Sequence, residues 1–302
     1  ASDVYKRQSI MTARFNLTLI LLIVGVSWGL TAPLSKIAVS TGHHYLGLLI
    51  WQIIIMILSL GLIQIFRKKK LPLNLNCFWR YVLVALLGTI LPNSIMYKAY
   101  FHLQSGIMSI LVSIVPMIAF LLVLVLQMEK FEIRRFLGVL FGIFAIILIV
   151  FPKLDLGYIG EVGWILLALL SPLCYAIEGV WINKIGIAKL DPIEIILGAS
   201  ILGFFILMPI VALNGYWVTP YRVWGPAEFA ITLSSLIHSI IYISYIWLIG
   251  KAGVIFASQV SYIYTASGIG FSIILLGEGY SLFVWAAVIL MLMGLMMVRP
   301  SR

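Results

Sequence analysis

The amino-acid sequence predicts an all-α polytopic membrane protein with ten transmembrane helices, arranged as two inverted five-helix repeats. Three observations carry this prediction: the composition, the length of the apolar runs and an internal similarity. Hydrophobic residues make up 63% of the 302-residue chain and charged residues only 10%, which is too little charge to cover a soluble protein. The apolar runs are about 20 residues long, and a helix of that length crosses the roughly 30 Å hydrocarbon core of a bilayer.

Ten such runs follow one another, separated by short polar loops such as RKKKLPLNLN at residues 67–76. Residues 1–16, before the first run, are predicted to be a cytoplasmic leader. The first ten, ASDVYKRQSI, match nothing downstream and are interpreted as a cloning or gene-calling artefact, with Met11 as a candidate start. The predicted spans lie near residues 17–40, 44–66, 79–101, 107–127, 134–151, 159–182, 192–213, 227–249, 254–276 and 281–298.

The twenty Lys and Arg residues set the orientation, because cytoplasmic loops carry an excess of them. With the N-terminus inside, sixteen lie on one side and only Lys36, Lys98, Lys153 and Arg222 on the other. We therefore expect a multi-pass protein of the inner, cytoplasmic membrane with both termini in the cytoplasm. The formal net charge of +10 follows from this topology, so no nucleic acid is expected as a partner.

The two halves of the chain resemble each other. Residues 97–116 (YKAYFHLQSGIMSILVSIVP) align without a gap with residues 244–263 (SYIWLIGKAGVIFASQVSYI). We assign residues 17–152 to the first repeat and residues 153–302 to the second, with five spans each. An odd number of spans makes the second copy enter the membrane the opposite way up. In secondary transporters with such repeats, the substrate lies near the bilayer midplane at the repeat interface.

Three features carry a family resemblance: SWGLTAPLSK at residues 27–36 in the first span, Pro116 in the fourth, and Glu129 and Glu278 near the ends of the fourth and ninth. Together with the five-plus-five arrangement, they resemble the drug/metabolite transporter superfamily, and the EamA branch is the most similar. The proline expected opposite Pro116 is missing, since Ile263 stands there. The resemblance implies a substrate carrier, commonly an exporter of amino acids or related metabolites, that works without ATP.

His238 is the deepest ionisable residue, tyrosines aside. Counted from Ala227 at about 1.5 Å per residue, it lies roughly 16 Å into the eighth span, near the midplane. An imidazole at this depth can exchange protons with either face or donate a hydrogen bond to a substrate carboxylate. Alternatively, a neutral His238 bonds to Ser or Tyr of a neighbouring helix and serves packing. The sequence leaves both open.

Polar and aromatic residues at the corresponding level extend the candidate substrate site. Pro92 opens the third span, and Asn93 beside it offers two donors and an acceptor, unless it satisfies the carbonyl that the kink frees. Tyr97 follows Asn93 at i+4 and shares its helix face. Tyr242 stands in the same relation to His238. Such faces line pockets for amphipathic ligands, although Tyr also populates membrane interfaces.

Three further side chains complete this site. Trp28, central in the first span, lines the pocket or fills the core. Glu178 lies about 6 Å from the inner end of the sixth span. It is a candidate gate or proton carrier, unless it snorkels or pairs with Lys184 or Lys189. Gln259, in the cytoplasmic half of the ninth span, is a candidate for substrate binding and for the same gate.

Lys36 and Lys98 both lie near the outer boundary. If they point inward, they line an outer vestibule and attract a carboxylate or phosphate as part of a gate. If they point outward, their long stems reach the headgroups. Glu129 and Glu278 are predicted to fix the following turns by capping or ion pairs rather than to touch substrate.

The sequence thus predicts a secondary transporter that exports a small polar or amphipathic metabolite, an amino acid or related compound, by alternating access. The substrate, membrane lipids and, through His238 or Glu178, protons are the expected partners; the oligomeric state is left open. No GxxxxGK[ST], HExxH or GxSxG motif is present, so no cofactor, metal site or enzyme activity is predicted. Two alternatives are kept. One is a nucleotide-sugar or lipid-type carrier of the same superfamily. The other is an intramembrane lipid-modifying enzyme that uses His238 and Asn93 as acid and base.

Overall fold

The computed structural model describes residues 2–155, 159–187, 190–219, 224–252, 257 and 259–298, and their side chains from residue 16 onward except those of residues 155, 249, 250 and 252. The described residues form helices and no strand. Eight helices are long and apolar enough to cross a membrane, and the last two are apolar but shorter. The predicted all-α, ten-helix membrane architecture is confirmed. The helices are α1 (Ser2–Val39), α2 (Tyr45–Phe66), α3 (Leu75–His102), α4 (Ser105–Val125), α5 (Ile133–Asp155), α6 (Ile159–Ile185), α7 (Pro192–Asn214), α8 (Pro226–Ala252), α9 (Val260–Leu276) and α10 (Leu282–Val298).

Several helix ends differ from the expected positions. α1 begins at Ser2, so the predicted leader is helical and continuous with the first span. α3 begins earlier than expected because the Asn74 side chain caps it, accepting a 2.9 Å hydrogen bond from the amide of Cys77. α5 continues to Asp155, beyond the predicted division between the repeats at 152 and 153. The expected start of the ninth span near 254 lies outside the described residues.

The contacts between helices are the same for both sets of five: each helix of the first set packs as its counterpart in the second set does. α5 packs along α10, α2 along α7 and α4 against α9, each on its own counterpart. α1 packs on α8 and α9, and its counterpart α6 packs on α3 and α4. With five helices in each set, the second set is inverted relative to the first. The two sets meet along a seam that includes α1, α3, α6 and α8.

An ion-pair latch joins the two sets on the face where the chain begins. Arg67, directly after α2, makes two hydrogen bonds of 2.5 and 3.2 Å to the carboxylate of Asp191, directly before α7. Lys69 adds a third at 3.1 Å. Asp191 also caps α7 by accepting from the amides of Ile193 and Glu194. Burial alone would raise the pKa of Asp191, but the hydrogen bonds from Arg67, the Glu194 amide and Lys69 lower it to about 2.

Asp191→Asn should therefore reduce stability by about 1 kcal/mol at neutral pH, a modest value because this pair is partly exposed to water. A carboxylate whose folded-state pKa is lowered contributes stability above its unfolded pKa, and this contribution is lost as the pH falls through the folded value. The difference in thermal midpoint between wild type and variant should thus be constant from pH 8 to pH 5 and vanish towards pH 2. A difference that already shrinks between pH 8 and pH 6 would contradict the latch.

Candidate functional site

The carboxyl group of Glu178, on α6, stands at the centre of the seam. The residue is only 4% exposed, and Oε1 accepts a 2.8 Å hydrogen bond from the hydroxyl of Tyr242 on α8. The carboxyl group also lies against Gly88 of α3, where an added Cβ would overlap it. Among the side chains that the structure describes, no Lys, Arg or His forms an ion pair with it. Glu178 is therefore a buried acid between helices of both sets.

Glu178 neither snorkels nor pairs with Lys184, which were the alternatives to its predicted role. The ammonium group of Lys184 lies over the ring of Trp181 instead, 5.4 Å from its centroid. Lys189, the other proposed partner, is outside the described residues. The physical reason is the rotation of α6: Glu178 is on the face turned towards α3 and α8, and depth along the sequence does not reveal which face a residue occupies.

α3 is widened next to this carboxyl group. Residues Val84–Ile90 form a π-helical segment, and Pro92 follows directly. In a regular α-helix the Pro92 ring would collide with the carbonyl of Gly88, four residues earlier, and the wider turn avoids this. The hydroxyl of Ser171 on α6 donates to the Pro92 carbonyl at 3.1 Å. The predicted opening at Pro92 is thus confirmed, and it brings Gly88 against Glu178.

Four rings form a wall beside the carboxyl group: Trp28 of α1 with His238, Tyr242 and Tyr245 of α8. The Trp28 centroid lies 5.9, 6.4 and 5.4 Å from those of His238, Tyr242 and Tyr245, respectively. The rings of His238 and Tyr242 are 5.7 Å apart, so this i, i+4 pair shares a helix face as predicted. Tyr245 was not predicted, although it follows Tyr242 at i+3 on the same face. We call these four residues the aromatic wall.

Trp28 is held at the seam by close backbone contact between α1 and α9. A Cβ on Gly29 would meet the backbone nitrogen of Gly268 at 2.7 Å. Nearby, the hydroxyl of Ser267 lies 3.2 Å from the carbonyl of Gly25. Small residues let membrane helices approach in this way. The glycine next to Trp28 thus allows the backbones of α1 and α9 to approach closely.

Asn93 has an amide nitrogen without a hydrogen-bond partner in the described structure. Its Oδ1 accepts a 3.2 Å hydrogen bond from the hydroxyl of Tyr175, but its buried Nδ2 reaches no acceptor in the described structure. Leaving such a donor unsatisfied costs roughly 1–3 kcal/mol. Nδ2 makes no hydrogen bond to the carbonyl freed at Pro92 in the described structure, and a substrate-binding role for Asn93 stays a prediction. Tyr175 is one turn before Glu178 on α6 and places this amide near the same helix face.

Tyr97 and Gln259 are not among the rings of the aromatic wall. The hydroxyl of Tyr97 donates to Oε1 of Gln52 on α2 at 2.7 Å, and Tyr97 is buried in the core. Tyr97 therefore does not face the surroundings of the protein. Gln259 directly precedes α9 and is half-buried. A substrate-binding role for either residue stays a prediction.

Lys36 and Lys98, the two lysines predicted to line a gate, have different partners in the structure. Lys36 donates to the carbonyls of Tyr100 at 2.6 Å and Leu103 at 2.9 Å, and so satisfies the end of α3. Lys98 is exposed and lies over the ring of Tyr45, 4.5 Å from its centroid. Each ammonium group thus has a partner of its own, and a gating role for either lysine stays a prediction.

Glu129 and Glu278 act as structural groups, as predicted. Glu278 accepts hydrogen bonds from the amides of Ser105 at 2.9 Å and Gly106 at 3.2 Å. It therefore caps α4, a helix of the other set, and not only its own turn. Glu129 pairs with Arg135.

Comparisons with known proteins bear on the whole chain. The sequence model of the EamA-like transporter family matches twice, over residues 17–151 and residues 162–299. No curated protein matches the chain. A solved structure named only "Crystal structure of protein" is 15% identical in sequence and has a TM-score of 0.61, over 94% of this chain and 97% of its own. At this identity the likeness shows a shared fold alone.

Proposed function

This chain belongs to the EamA-like transporter family, and on that premise we propose that it is a secondary transporter that moves a small polar or amphipathic metabolite across the cytoplasmic membrane by alternating access. The observation that carries the proposal is the buried Glu178–Tyr242 pair beside the aromatic wall, at the seam of two inverted sets of helices. Transporters built from inverted repeats bind substrate at such an interface.

The chemistry of these side chains supports an amino acid or a related compound as the substrate. The aromatic wall offers apolar ring faces to the body of the ligand. The carboxyl group of Glu178 can accept hydrogen bonds from an ammonium group. The unpartnered Nδ2 of Asn93 can donate to a carboxylate, as can the imidazole of His238.

We further propose that both termini are cytoplasmic and that transport is outward. The support is the distribution of Lys and Arg, sixteen against four, and the export activity that is common in this family. In that orientation the Arg67–Asp191 latch lies on the cytoplasmic face. It joins α2 to α7, one helix from each set, and has to open when the sets rock apart.

The test is efflux from proteoliposomes loaded with a mixed pool of amino acids and small metabolites, read by mass spectrometry against protein-free vesicles. We expect selective loss of one compound class. Trp28→Ala should slow that loss at least about ten-fold, because it removes ring contacts worth roughly 0.5–1.5 kcal/mol each. Trp79→Ala is the matched control, since Trp79 is exposed near the start of α3.

Two results would count against this proposal. If no compound is lost selectively under any imposed gradient, the carrier function is rejected. Selective loss of a nucleotide sugar instead of an amino acid would favour that branch of the superfamily, and a Trp28→Ala rate equal to wild type would move the substrate away from the aromatic wall.

A further inference from the structure

We propose that the carboxyl group of Glu178 binds a proton and the ammonium group of the substrate in alternation, so that the protein exchanges an organic ammonium compound for a proton. This inference rests on the proposed carrier function and narrows it to one substrate class and one mode of coupling. It is carried by three features of the seam: a buried acid, the absence of a described cation beside it, and a group of aromatic rings that begins at its hydrogen-bond partner Tyr242.

An ionised Glu178 would be poorly compensated. Among the described residues, Tyr242 alone donates a hydrogen bond to it. The residue is 4% exposed, so water does not solvate it freely. A carboxylate in an apolar interior costs several kcal/mol unless a cation pairs with it. In this arrangement, an empty site requires a protonated, neutral carboxyl group.

The titratable groups nearest to Glu178 supply no compensating positive charge. From α8 these are Tyr242 and Tyr245, and from α6 itself they are Cys174 and Tyr175. Phenols and thiols are neutral or negative, never cationic. They are therefore compatible with a protonated, neutral Glu178, but none of them can serve as the counter-ion of an ionised Glu178.

The other helices around this carboxyl group add no cation either. α3 turns Gly88 towards it, and Arg80 of the same helix donates to two backbone carbonyls at the end of α6. α1 contributes the ring of Trp28, and α4 contains no ionisable residue. In the described structure His238 has no carboxylate within ion-pair distance, so a charged imidazole would be as poorly compensated as an ionised Glu178. We therefore assign proton coupling to Glu178 rather than to His238.

The surroundings of Glu178 suit an ammonium group. Tyr242 donates its hydroxyl to the carboxyl group, and its ring lies 6.4 Å from that of Trp28, which is 5.4 Å from that of Tyr245. Aromatic faces attract cations through their quadrupole, and the attraction grows when the cation is desolvated. An ionised carboxylate at the same place adds a charge-assisted contact. The combination of rings and acid selects cationic over anionic ligands.

The exchange is balanced in charge and protons. Binding of the ammonium compound expels the carboxyl proton to the water on the side that is open. On the other side a proton returns to the carboxylate as the substrate leaves. If the site changed sides while empty and ionised, it would carry an uncompensated charge through the membrane. Each change of sides therefore requires that either a proton or the ammonium compound is bound to Glu178. A monovalent substrate therefore exchanges for one proton without net charge movement.

The decisive experiment measures proton release on binding. Phenethylammonium is a suitable probe because it has an aromatic ring and N–H donors, and because a primary ammonium group keeps its own proton at mildly acidic pH. It is added to the purified protein in weakly buffered detergent solution at mildly acidic pH. We expect about one proton released per cation bound, as linkage requires when two ligands compete for one group. Glu178→Gln should release none, while Glu161→Gln, which removes a carboxylate at the far end of α6, should behave as wild type.

Tyr242→Phe serves as a second variant. It keeps the carboxyl group and should still release a proton. It should bind the cation more weakly, because the hydroxyl that donates a hydrogen bond to Glu178 is lost. Binding of the cation without proton release, equal release by Glu178→Gln, or no binding at all would each overturn the inference. If mixed-pool efflux persists in any of these cases, the carrier function stands and only the exchange at Glu178 fails. Absence of that efflux is what would reject the carrier function itself.

Discussion

Gly88→Ala should lower the transport rate at least about ten-fold while leaving thermal stability unchanged. The added Cβ would stand 2.7 Å from Cδ of Glu178, well inside van der Waals contact. Either the carboxyl group leaves the hydroxyl of Tyr242 or α3 moves away from α6. The loss of a hydrogen bond to a charged or proton-exchanging group costs roughly 1.5–3 kcal/mol, which corresponds to a factor of ten or more. Alanine itself favours a helix over glycine by about 1 kcal/mol, so the fold should tolerate the change.

The matched control is Gly179→Ala, beside Glu178 on α6, where an added Cβ meets no atom within 4 Å. Efflux of the transported compound from proteoliposomes and the thermal midpoint in detergent should both resemble wild type for this variant. If Gly88→Ala transports as fast as wild type, the carboxyl group relaxes freely and its fixed position is not needed. If transport and thermal midpoint fall together, Gly88 serves packing and not the site.

The chemistry of the site could be predicted from the sequence, but its contacts could not. Glu178 and Tyr242 were both candidates because each is a polar group in an apolar run. Their hydrogen bond joins α6 to α8, and it depends on the rotation of both helices, which depth along a span does not reveal. Gly88 gave no signal, since a glycine in an apolar run is typical of ordinary helix packing and the π-helical turn arises from the local backbone around Pro92.

The same distinction applies to the fold. The ten spans were predictable because hydropathy and length decide them, and the inversion followed from five spans per repeat. Helix ends were less predictable, since the polar cap Asn74 extends α3 past its apolar part. Lys36 shows the limit most clearly. Lys36 lies in the last turn of α1, near the predicted end of the span. The carbonyls that it binds belong to α3, and only the packing of α1 on α3 brings them together.

Glu278→Ala should lower the free energy of unfolding by roughly 3 kcal/mol, because two backbone donors at the start of α4 lose their acceptor. Oε1 of Glu278 accepts from the amide and the hydroxyl of Ser105 at 2.9 and 3.1 Å, and Oε2 accepts from the amide of Gly106 at 3.2 Å. Ser105 is fully buried, so water cannot replace the carboxylate. A negative charge at a helix N-terminus also interacts favourably with the helix dipole. Thermal unfolding in detergent should show a midpoint about 5 °C or more below wild type.

Glu129→Ala is the matched control, because Glu129 occupies the corresponding place at the end of the fourth span. Its carboxylate is 41% exposed, and its partner Arg135 also donates to the carbonyl of Val298, so its removal should cost less than the removal of Glu278. Equal midpoints for the two alanine variants would show that the cap on α4 contributes little. Glu278 caps the start of α4, whereas Glu178 lies against Gly88 of α3 and Tyr242 of α8, and transport per folded molecule should therefore be unchanged in Glu278→Ala. A variant that unfolds like wild type but no longer transports would instead move Glu278 from the scaffold into the substrate path, because only a group that meets the substrate or its gate can be lost in that way.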